Sequence, residues 1–212
     1  MMKHIFSFTI IALLLSVLPL FGQGKEIDIH WSDSIDGDFS FTNKWSYAET
    51  IYRNDFGQLV CDGNCDEDTY RMRDENGRIY SDSIESYYTL VDTTHYYHTH
   101  SGEAECYEWI GTDFAHAIRK ENVVTCHTEC NVAAHSGLEL NITENKCLAR
   151  IILNSIADRD IERFNCKDGY IIIDKLLWDK GILKAKFHFD FTDPEYPNKS
   201  IWWKGNIQTT ID

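Results

Sequence analysis

Hydrophobic and polar residues alternate strictly along the segment GILKAKFHFDF near the C-terminus. Apolar side chains occupy every second position: Leu183, Ala185, Phe187, Phe189 and Phe191. Polar side chains fill the positions between them: Lys184, Lys186, His188 and Asp190. Successive side chains of a β-strand point to opposite faces, so the segment is predicted to be a strand with one buried and one solvated face.

The segment IWWKGNIQTTI repeats this pattern after the turn-rich stretch TDPEYPNKS. Its apolar face is formed by Ile201, Trp203, Ile207 and Ile211. We therefore predict that the two segments pair as a long antiparallel hairpin. Earlier in the chain, Asn76 and Gly77 form a dipeptide that favours the positive φ angles of a tight turn, which predicts another hairpin.

Helical spacing is confined to two short segments, DSIESYYTLVD and DKLLWDKG, the second of which is expected to end at Gly181. Elsewhere, short strand-like segments follow one another without regular amphipathic helices between them. This arrangement favours antiparallel pairing over a parallel sheet with crossover helices. We predict an all-β, mainly antiparallel protein, namely a single-domain β-sandwich or barrel with one or two short helices.

The first 22 residues have the composition of a secretory signal peptide. MMKH supplies a short basic region, and IFSFTIIALLLSVLPLF supplies an uninterrupted apolar run. The run is shorter than the roughly 20 residues that span a bilayer, and cleavage is expected near Gly22. We therefore predict a secreted or periplasmic protein with no membrane span in the mature chain. Residues 23–46 are expected to form an N-terminal arm or the first strands, and residues 47–212 an antiparallel β domain.

The chain is acidic, with 34 Asp and Glu residues against 20 Lys and Arg residues and a net charge of −14. Nucleic acid is an unsuitable ligand for such a chain, because neutralising phosphates requires clustered basic residues. A negative field accelerates encounter with a basic protein, although it also simply favours solubility. The expected partner is a protein, basic if this charge is used, or a small ligand.

Seven cysteines follow the predicted signal peptide, which indicates disulfides in an oxidising compartment and one thiol left over. CDGNC is built of turn residues, so Cys61 and Cys65 are predicted to approach within bridging distance. In the predicted strand VVTCHTEC, four residues extend about 13 Å, which is too far for a disulfide between its two cysteines. Cys147 with Cys166 is the preferred second pair, although the sequence leaves other pairings open.

The stretch HYYHTH contains the candidate metal site. Read as one strand, it places His98 and His100 on the same face, from which two imidazoles can converge on one Zn²⁺ ion. Glu103 is the preferred third ligand, and the other candidates are His116, His127 and His135. The H-x-H pair and the following glutamate resemble the first half of the cupin pattern. They depart from it because the spacing to the glutamate is short, the preceding glycine is missing and no second motif follows. The alternative is a set of exposed or hydrogen-bonded strand histidines.

A weaker candidate for Ca²⁺ lies in CDGNCDED, where oxygen-bearing side chains recur at every second position: Asp62, Asn64, Asp66 and Asp68. Alternating oxygen ligands in a turn suit Ca²⁺ coordination. The EF-hand loop, however, requires a glycine at the position of Glu67 and a glutamate at that of Arg73. A solvated acidic loop closed by a disulfide is the alternative interpretation.

The sequence contains no recognisable catalytic signature, such as G-x-S-x-G, H-E-x-x-H or a Walker loop. Cys126 and His127 are adjacent on a predicted strand and point to opposite faces, so they cannot act together as nucleophile and base. The favoured function is therefore a binding or inhibitory protein of the immunity type, without a cofactor. Its interface candidates are Trp202, Tyr96 and Tyr97. The alternative is a metal-dependent enzyme or metal-binding domain centred on His98 and His100, with Zn²⁺ or Ca²⁺ as the ion.

Overall fold

The computed structural model describes residues 24–63, 65–129, 134–155 and 161–212, so the predicted signal peptide lies outside the described residues. The strands in these ranges are β1 (Glu26–Ser32), β2 (Trp45–Ser46), β3 (Ile51–Arg53), β4 (Leu59–Cys61), β5 (Tyr96–Tyr97), β6 (His100–Glu105), β7 (Phe114–Lys120), β8 (Val123–Glu129), β9 (Ser136–Ile142), β10 (Lys146–Asn154), β11 (Ile161–Asp174), β12 (Ile182–Thr192) and β13 (Ile201–Thr210). The helices are α1 (Glu67–Arg71), α2 (Ile84–Leu90) and α3 (Lys175–Trp178).

The predicted all-β class is confirmed, and so are the two predicted helical segments, which form α2 and α3. The additional helix α1 lies in the acidic stretch that was expected to be a loop. A 3₁₀ turn also occupies Ser40–Asn43. No helix in the described ranges is long and apolar enough to cross a membrane.

Nine strands form one large sheet in the order β6-β13-β12-β11-β1-β10-β9-β8-β7. The predicted C-terminal hairpin is confirmed as β12 and β13, which pair antiparallel from Ile182 opposite Thr210 to Phe191 opposite Ile201. The sheet is mixed because β1 runs parallel to β11, whereas the other pairings are antiparallel. The prediction of mainly antiparallel pairing therefore holds.

The two ends of this sheet approach each other, so that it is nearly barrel-shaped. The Arg119 amide of β7 donates to the carbonyl of Asp212 at 2.7 Å, and the Asp212 amide donates to the carbonyl of Ala117 at 3.0 Å. At the other end of β7, the amides of Thr99 and His100 both donate to the carbonyl of Asp113. The first two bonds join β7 to the end of the chain just after β13, and the last two join the start of β6 to the residue that precedes β7.

Strand β1 fills a gap between β10 and β11. These two strands pair directly from Arg150 opposite Asn165 to Asn154 opposite Ile161, and then diverge. The register of β11 against β12 shifts between Cys166 and Asp168. Gly169 next to the shift has a φ of +147°, and a Cβ there would lie 2.2 Å from the carbonyl oxygen of His188. Only glycine fits this close approach of two strands.

The interior of the barrel is filled by the alternating apolar positions of its strands. Fully or almost fully buried members include Leu138, Leu140, Ile142, Ala149, Ile151, Ile171, Ile173, Leu183, Phe187, Phe189, Phe191, Ile201, Trp203 and Ile207. Removing this much apolar surface from water is the main favourable contribution to folding. The period-two pattern of the sequence therefore identifies the core.

Residues 45–97, which we call the lobe, form a second, smaller packing unit. They contain the β2–β5 ribbon, the β3–β4 hairpin and the helices α1 and α2. The buried residues of the lobe are Ile51, Val60, Cys61, Thr69, Ile79, Tyr87 and Val91. The turn predicted at Gly77 is present, but the strands expected to flank it are reduced to one bridge between Arg73 and Ile79.

Candidate functional site

His100, at the start of β6, points into the barrel and not toward solvent. Its side chain is 0 % exposed, and its ring stacks on Phe187 at 6.0 Å between centroids, with Trp203 at 6.4 Å. Gly102 and Gly205 face each other beside this ring. A Cβ on either glycine would lie about 3 Å from the His100 Nε2 atom, at 2.9 and 3.1 Å respectively. The two glycines therefore make room for the imidazole.

The His100 imidazole lies in an apolar environment. Neither ring nitrogen has a hydrogen-bond partner of good geometry among the described residues, and the same holds for Trp203 Nε1. Burial lowers the pKa of His100 to about 4, and the nearby Thr112 backbone only partly opposes this effect. The ring is therefore neutral at physiological pH.

The structure does not bring the three preferred zinc ligands together. His98 lies between strands, and its Nε2 atom is 2.8 Å from Ser46 Oγ. Glu103 is on the outer face, where it pairs with Lys204 at 2.8 Å. The predicted strand is interrupted at His98 and Thr99, between β5 and β6. The consecutive amides of Thr99 and His100 donate to one carbonyl, so the alternation of faces does not continue from His98. Three positions separate His100 from Glu103, and this odd spacing puts them on opposite faces.

Two of the other candidate ligands do lie together. His116 of β7 and His127 of β8 are direct cross-strand partners on the outer face of the barrel. Their rings approach carboxylates: His116 Nε2 is 2.7 Å from Glu129 Oε1, and His127 Nδ1 is 3.8 Å from Glu139 Oε2. His135 lines the same surface cavity as His127, and its Nδ1 atom is 3.8 Å from Glu108 Oε2. Among the described residues, no group of three or more His, Cys, Asp or Glu side chains is arranged to hold a metal ion.

The sequence contained a signal for this histidine pair. DFAHAIRK and VVTCHTE are both strand-like, and only Glu121 and Asn122 separate them. A two-residue turn fixes the register of a hairpin, and here it places His116 opposite His127. Considered one at a time, the two histidines are only alternative third ligands for His98 and His100.

The acidic positions of the calcium candidate serve local structure. Asp62 accepts a hydrogen bond from the Gly63 amide at 3.0 Å. Asp66 caps α1 by accepting from the Asp68 amide at 2.8 Å, while Asp68 pairs with Arg71 at 2.9 Å. Asn64, the fourth candidate, lies outside the described residues. The alternation of oxygen-bearing residues is thus accounted for in part by a helix N-terminus.

The cysteine predictions have different outcomes. Cys61 and Cys65 form a disulfide, with their Cα atoms 6.1 Å apart. The predicted Cys147–Cys166 disulfide is not formed. Both residues are free buried thiols, and their strands, β10 and β11, lie on either side of β1. Burial raises the pKa of Cys166 to about 11, that of Cys126 to about 12 and that of Cys147 further still. Thiols held in the protonated form are poor nucleophiles.

The three interface candidates lie on two different surfaces. Trp202 is on the outer face of the barrel, where its ring stacks on His188 at 6.2 Å and Lys204 lies 5.1 Å from its centroid. Tyr96 and Tyr97 form β5 in the lobe and are exposed. The structure therefore separates Trp202 from the two tyrosines.

An exposed aromatic cluster, which we call the aromatic ribbon, includes Tyr97. It consists of Trp45, Tyr47, His95 and Tyr97. Trp45 stacks on His95 with 3.7 Å between ring centroids, and Tyr47 contacts both rings edge-on at 5.0 and 5.1 Å. Tyr97 is the cross-strand partner of Trp45, and the two side chains are 59 % and 42 % exposed. The contacting rings of Trp45, Tyr47 and His95 and the cross-strand neighbour Tyr97 thus form an aromatic surface around the β2–β5 pairing.

The lobe as a whole is rich in exposed apolar side chains. Of the seventeen large hydrophobic residues exposed in the described ranges, ten lie in the lobe, which is about a quarter of the chain. They are Trp45, Tyr52, Phe56, Tyr70, Tyr80, Ile84, Tyr88, Leu90, Tyr96 and Tyr97. The lobe also holds eleven acidic residues against four arginines, a net charge of −7. Half of the net charge of the chain therefore resides in this quarter of it.

One of these charges is fixed by Tyr96, the neighbour of Tyr97 in β5. Asp92 accepts hydrogen bonds from the Thr94 amide at 2.9 Å and from the Tyr96 hydroxyl at 2.6 Å. These bonds lower the pKa of Asp92 to about 2 and raise that of Tyr96. Asp92 thus stays negatively charged throughout the physiological pH range.

No protein-family model, curated protein or solved structure matches this chain. The functional interpretation therefore depends on the residues themselves.

Proposed function

We propose that the protein is a secreted or periplasmic binding or inhibitory protein of the immunity type, and that its lobe binds a basic protein partner. The observation that carries this proposal is the concentration of exposed aromatic side chains in an acidic lobe. Tyrosine and tryptophan are the residues that most often anchor protein interfaces, because they bury a large area and retain a polar group.

The charge of the lobe supports a basic partner. Carboxylates around an aromatic cluster steer oppositely charged proteins toward it and penalise acidic ones. Asp92, whose pKa is about 2 and which bonds the Tyr96 hydroxyl, keeps its charge in any ordinary buffer. The net charge of −7 and ten exposed large hydrophobic side chains lie in the same lobe, so one region can both attract and bind the partner.

The internal structure of the lobe also supports this function. A rigid surface loses little conformational entropy on binding, which leaves more of the contact energy for affinity. The Cys61–Cys65 disulfide and the buried Tyr87, whose hydroxyl accepts from the Cys61 amide at 2.8 Å, hold the lobe together. A disulfide also fits an oxidising compartment such as the periplasm or the extracellular space. The metal-dependent alternative is not proposed, because its preferred ligands lie apart.

Site-specific photocrosslinking tests this proposal. The photoreactive residue p-benzoylphenylalanine replaces Tyr97 in the lobe or, as a matched control, Tyr170, an exposed tyrosine on the outer face of the barrel. Each variant is incubated with the secreted proteins of the source organism and irradiated. We expect a defined adduct with a basic protein at position 97 and none at position 170. Its yield should fall as salt rises from about 0.05 to 0.5 M, because salt screens charge attraction.

Other patterns of crosslinking would contradict the proposal. Equal adducts at both positions indicate non-specific contact, and an adduct at position 170 alone places the binding surface on the barrel. An acidic partner, a yield independent of salt, or no adduct at position 97 each argues against a basic protein bound by the lobe.

A further inference from the structure

The outer face of the β7–β8 hairpin carries a histidine pair that the proposed function does not use. His116 and His127 are directly opposite each other in the antiparallel register. Directly opposed residues have Cβ atoms about 5 Å apart. That separation allows one nitrogen of each ring to lie about 2.0 to 2.1 Å from the same metal ion.

Each imidazole is also oriented by a carboxylate. His116 Nε2 donates to Glu129 Oε1 at 2.7 Å, and His127 Nδ1 faces Glu139 Oε2 at 3.8 Å. Glu139 is itself held by Asn141 Nδ2 at 3.0 Å. Histidines that bind metals through one ring nitrogen commonly direct the other toward a carboxylate, which fixes the ring and increases its basicity. This arrangement leaves His116 Nδ1 and His127 Nε2 as the nitrogens available to an ion.

The pair is accessible from solvent. The side chain of His116 is 63 % exposed and that of His127 is 55 % exposed. A surface cavity of about 350 Å³ adjoins His127, and Glu129, His135 and Glu139 also line it. An ion bound here has room for water ligands.

We propose that His116 and His127 form a two-histidine site for a late first-row divalent cation, with water completing the coordination shell. Imidazole ligands suit Cu²⁺, Ni²⁺ and Zn²⁺, and among these ions Cu²⁺ is bound most tightly by a given set of nitrogens. With two protein ligands instead of the three or four of dedicated zinc sites, the site binds a labile ion and not a permanent structural one. It lies on the barrel, so it is independent of the function proposed for the lobe.

The test is calorimetric titration of the full-length chain, purified without a histidine tag and stripped with a chelator, using CuCl₂ and ZnCl₂ separately. We expect one equivalent of Cu²⁺ to bind more tightly than Zn²⁺. His116→Ala and His127→Ala should each weaken Cu²⁺ binding at least about tenfold, since either change leaves a single imidazole. Glu129→Gln should weaken it by about tenfold, as loss of an outer partner does. The matched control is His188→Ala, which removes an exposed histidine from another part of the barrel.

Two further measurements make the result decisive. The electron paramagnetic resonance spectrum of the Cu²⁺ complex should show coupling to two imidazole nitrogens, reduced to one in either histidine variant. Circular dichroism should show that all variants keep their strand content, because the changes are on the surface. The proposal would be overturned by the absence of stoichiometric binding, by a His116→Ala or His127→Ala variant that binds Cu²⁺ as tightly as the wild type, or by loss of binding in the His188→Ala control.

Discussion

The barrel buries the apolar side chains of its strands, whereas the lobe leaves many of its own exposed. The barrel strand β12 is eleven residues long, and its apolar residues Leu183, Phe187 and Phe189 are all within 1 % of complete burial. The lobe is built from strands of two or three residues and helices of five and seven. It leaves most of its aromatic side chains exposed and adds a disulfide. The long regular strands bury their apolar side chains, whereas the short irregular ones leave aromatic side chains exposed on the surface where we propose that a partner binds.

The exceptions in each region are equally informative. In the barrel, the exception is a polar residue inside, since His100 lies among aromatic rings. In the lobe, the exception is the apolar surface outside, around Tyr97 and Trp45. A buried polar group without good hydrogen bonds reduces stability, and an exposed aromatic cluster favours association. The predictions below test whether the barrel supplies most of the stability while the lobe contributes little to it.

The largest expected effect is on the core of the barrel. Phe189→Ala removes a fully buried ring and should lower the free energy of unfolding by about 3 to 5 kcal/mol. The matched change Phe56→Ala, at a lobe residue that is 48 % exposed, should cost less than about 1 kcal/mol. Urea denaturation followed by circular dichroism measures both values. Similar losses for the two variants would mean that the barrel does not dominate stability.

The second prediction concerns pH and His100. Its pKa of about 4 in the folded state is below the ordinary value of 6.5, so the unfolded chain takes up the proton first as pH falls. The free energy of unfolding is therefore highest above pH 6.5, where the ring is neutral in both states, and it decreases as pH falls from 6.5 to 4. The loss amounts to about 3 kcal/mol. Urea denaturation of the wild type across this range should show it.

Carboxylates also titrate in this pH range, so variants of His100 are needed to identify its own contribution to the pH dependence of stability. His100→Gln and His100→Phe should each remove about 3 kcal/mol of the pH dependence relative to the wild type, whatever their absolute stability. His188→Gln, on the outer face, should keep the wild-type profile. An unchanged profile in both His100 variants would show that the buried imidazole is not the group responsible.

The smallest effect is expected in the lobe. Replacing Cys61 and Cys65 by serine removes a disulfide between residues that are four positions apart in the sequence. This should lower the free energy of unfolding by about 2 kcal/mol. We expect hydrogen exchange to accelerate at the amides of α2 and β4 while the amides of β12 keep their protection. If protection is lost equally in both regions, the lobe and the barrel unfold as one unit and the comparison fails.

The candidate sites were less predictable than the fold, for a specific reason. Alternation along a strand is a local property, and it identified the interior positions of β12 and β13 correctly. It failed at HYYHTH, because the strand is interrupted where the amides of Thr99 and His100 both donate to the carbonyl of Asp113. That carbonyl is distant in sequence, so no pattern within the stretch could reveal the interruption.

The sequence by itself determined the strand-rich class, the C-terminal hairpin, two of the helices and the short disulfide, because each depends on neighbouring residues. Only the tertiary structure decided that the sheet nearly closes, that β1 enters between β10 and β11, and that His100 faces inward. These features depend on hydrogen bonds between distant segments, whose register is fixed by the packing of the whole barrel. The pairing of His116 with His127 lies between the two cases. It is a contact between two strands, but a two-residue turn joins them, so the sequence nearly determines their register.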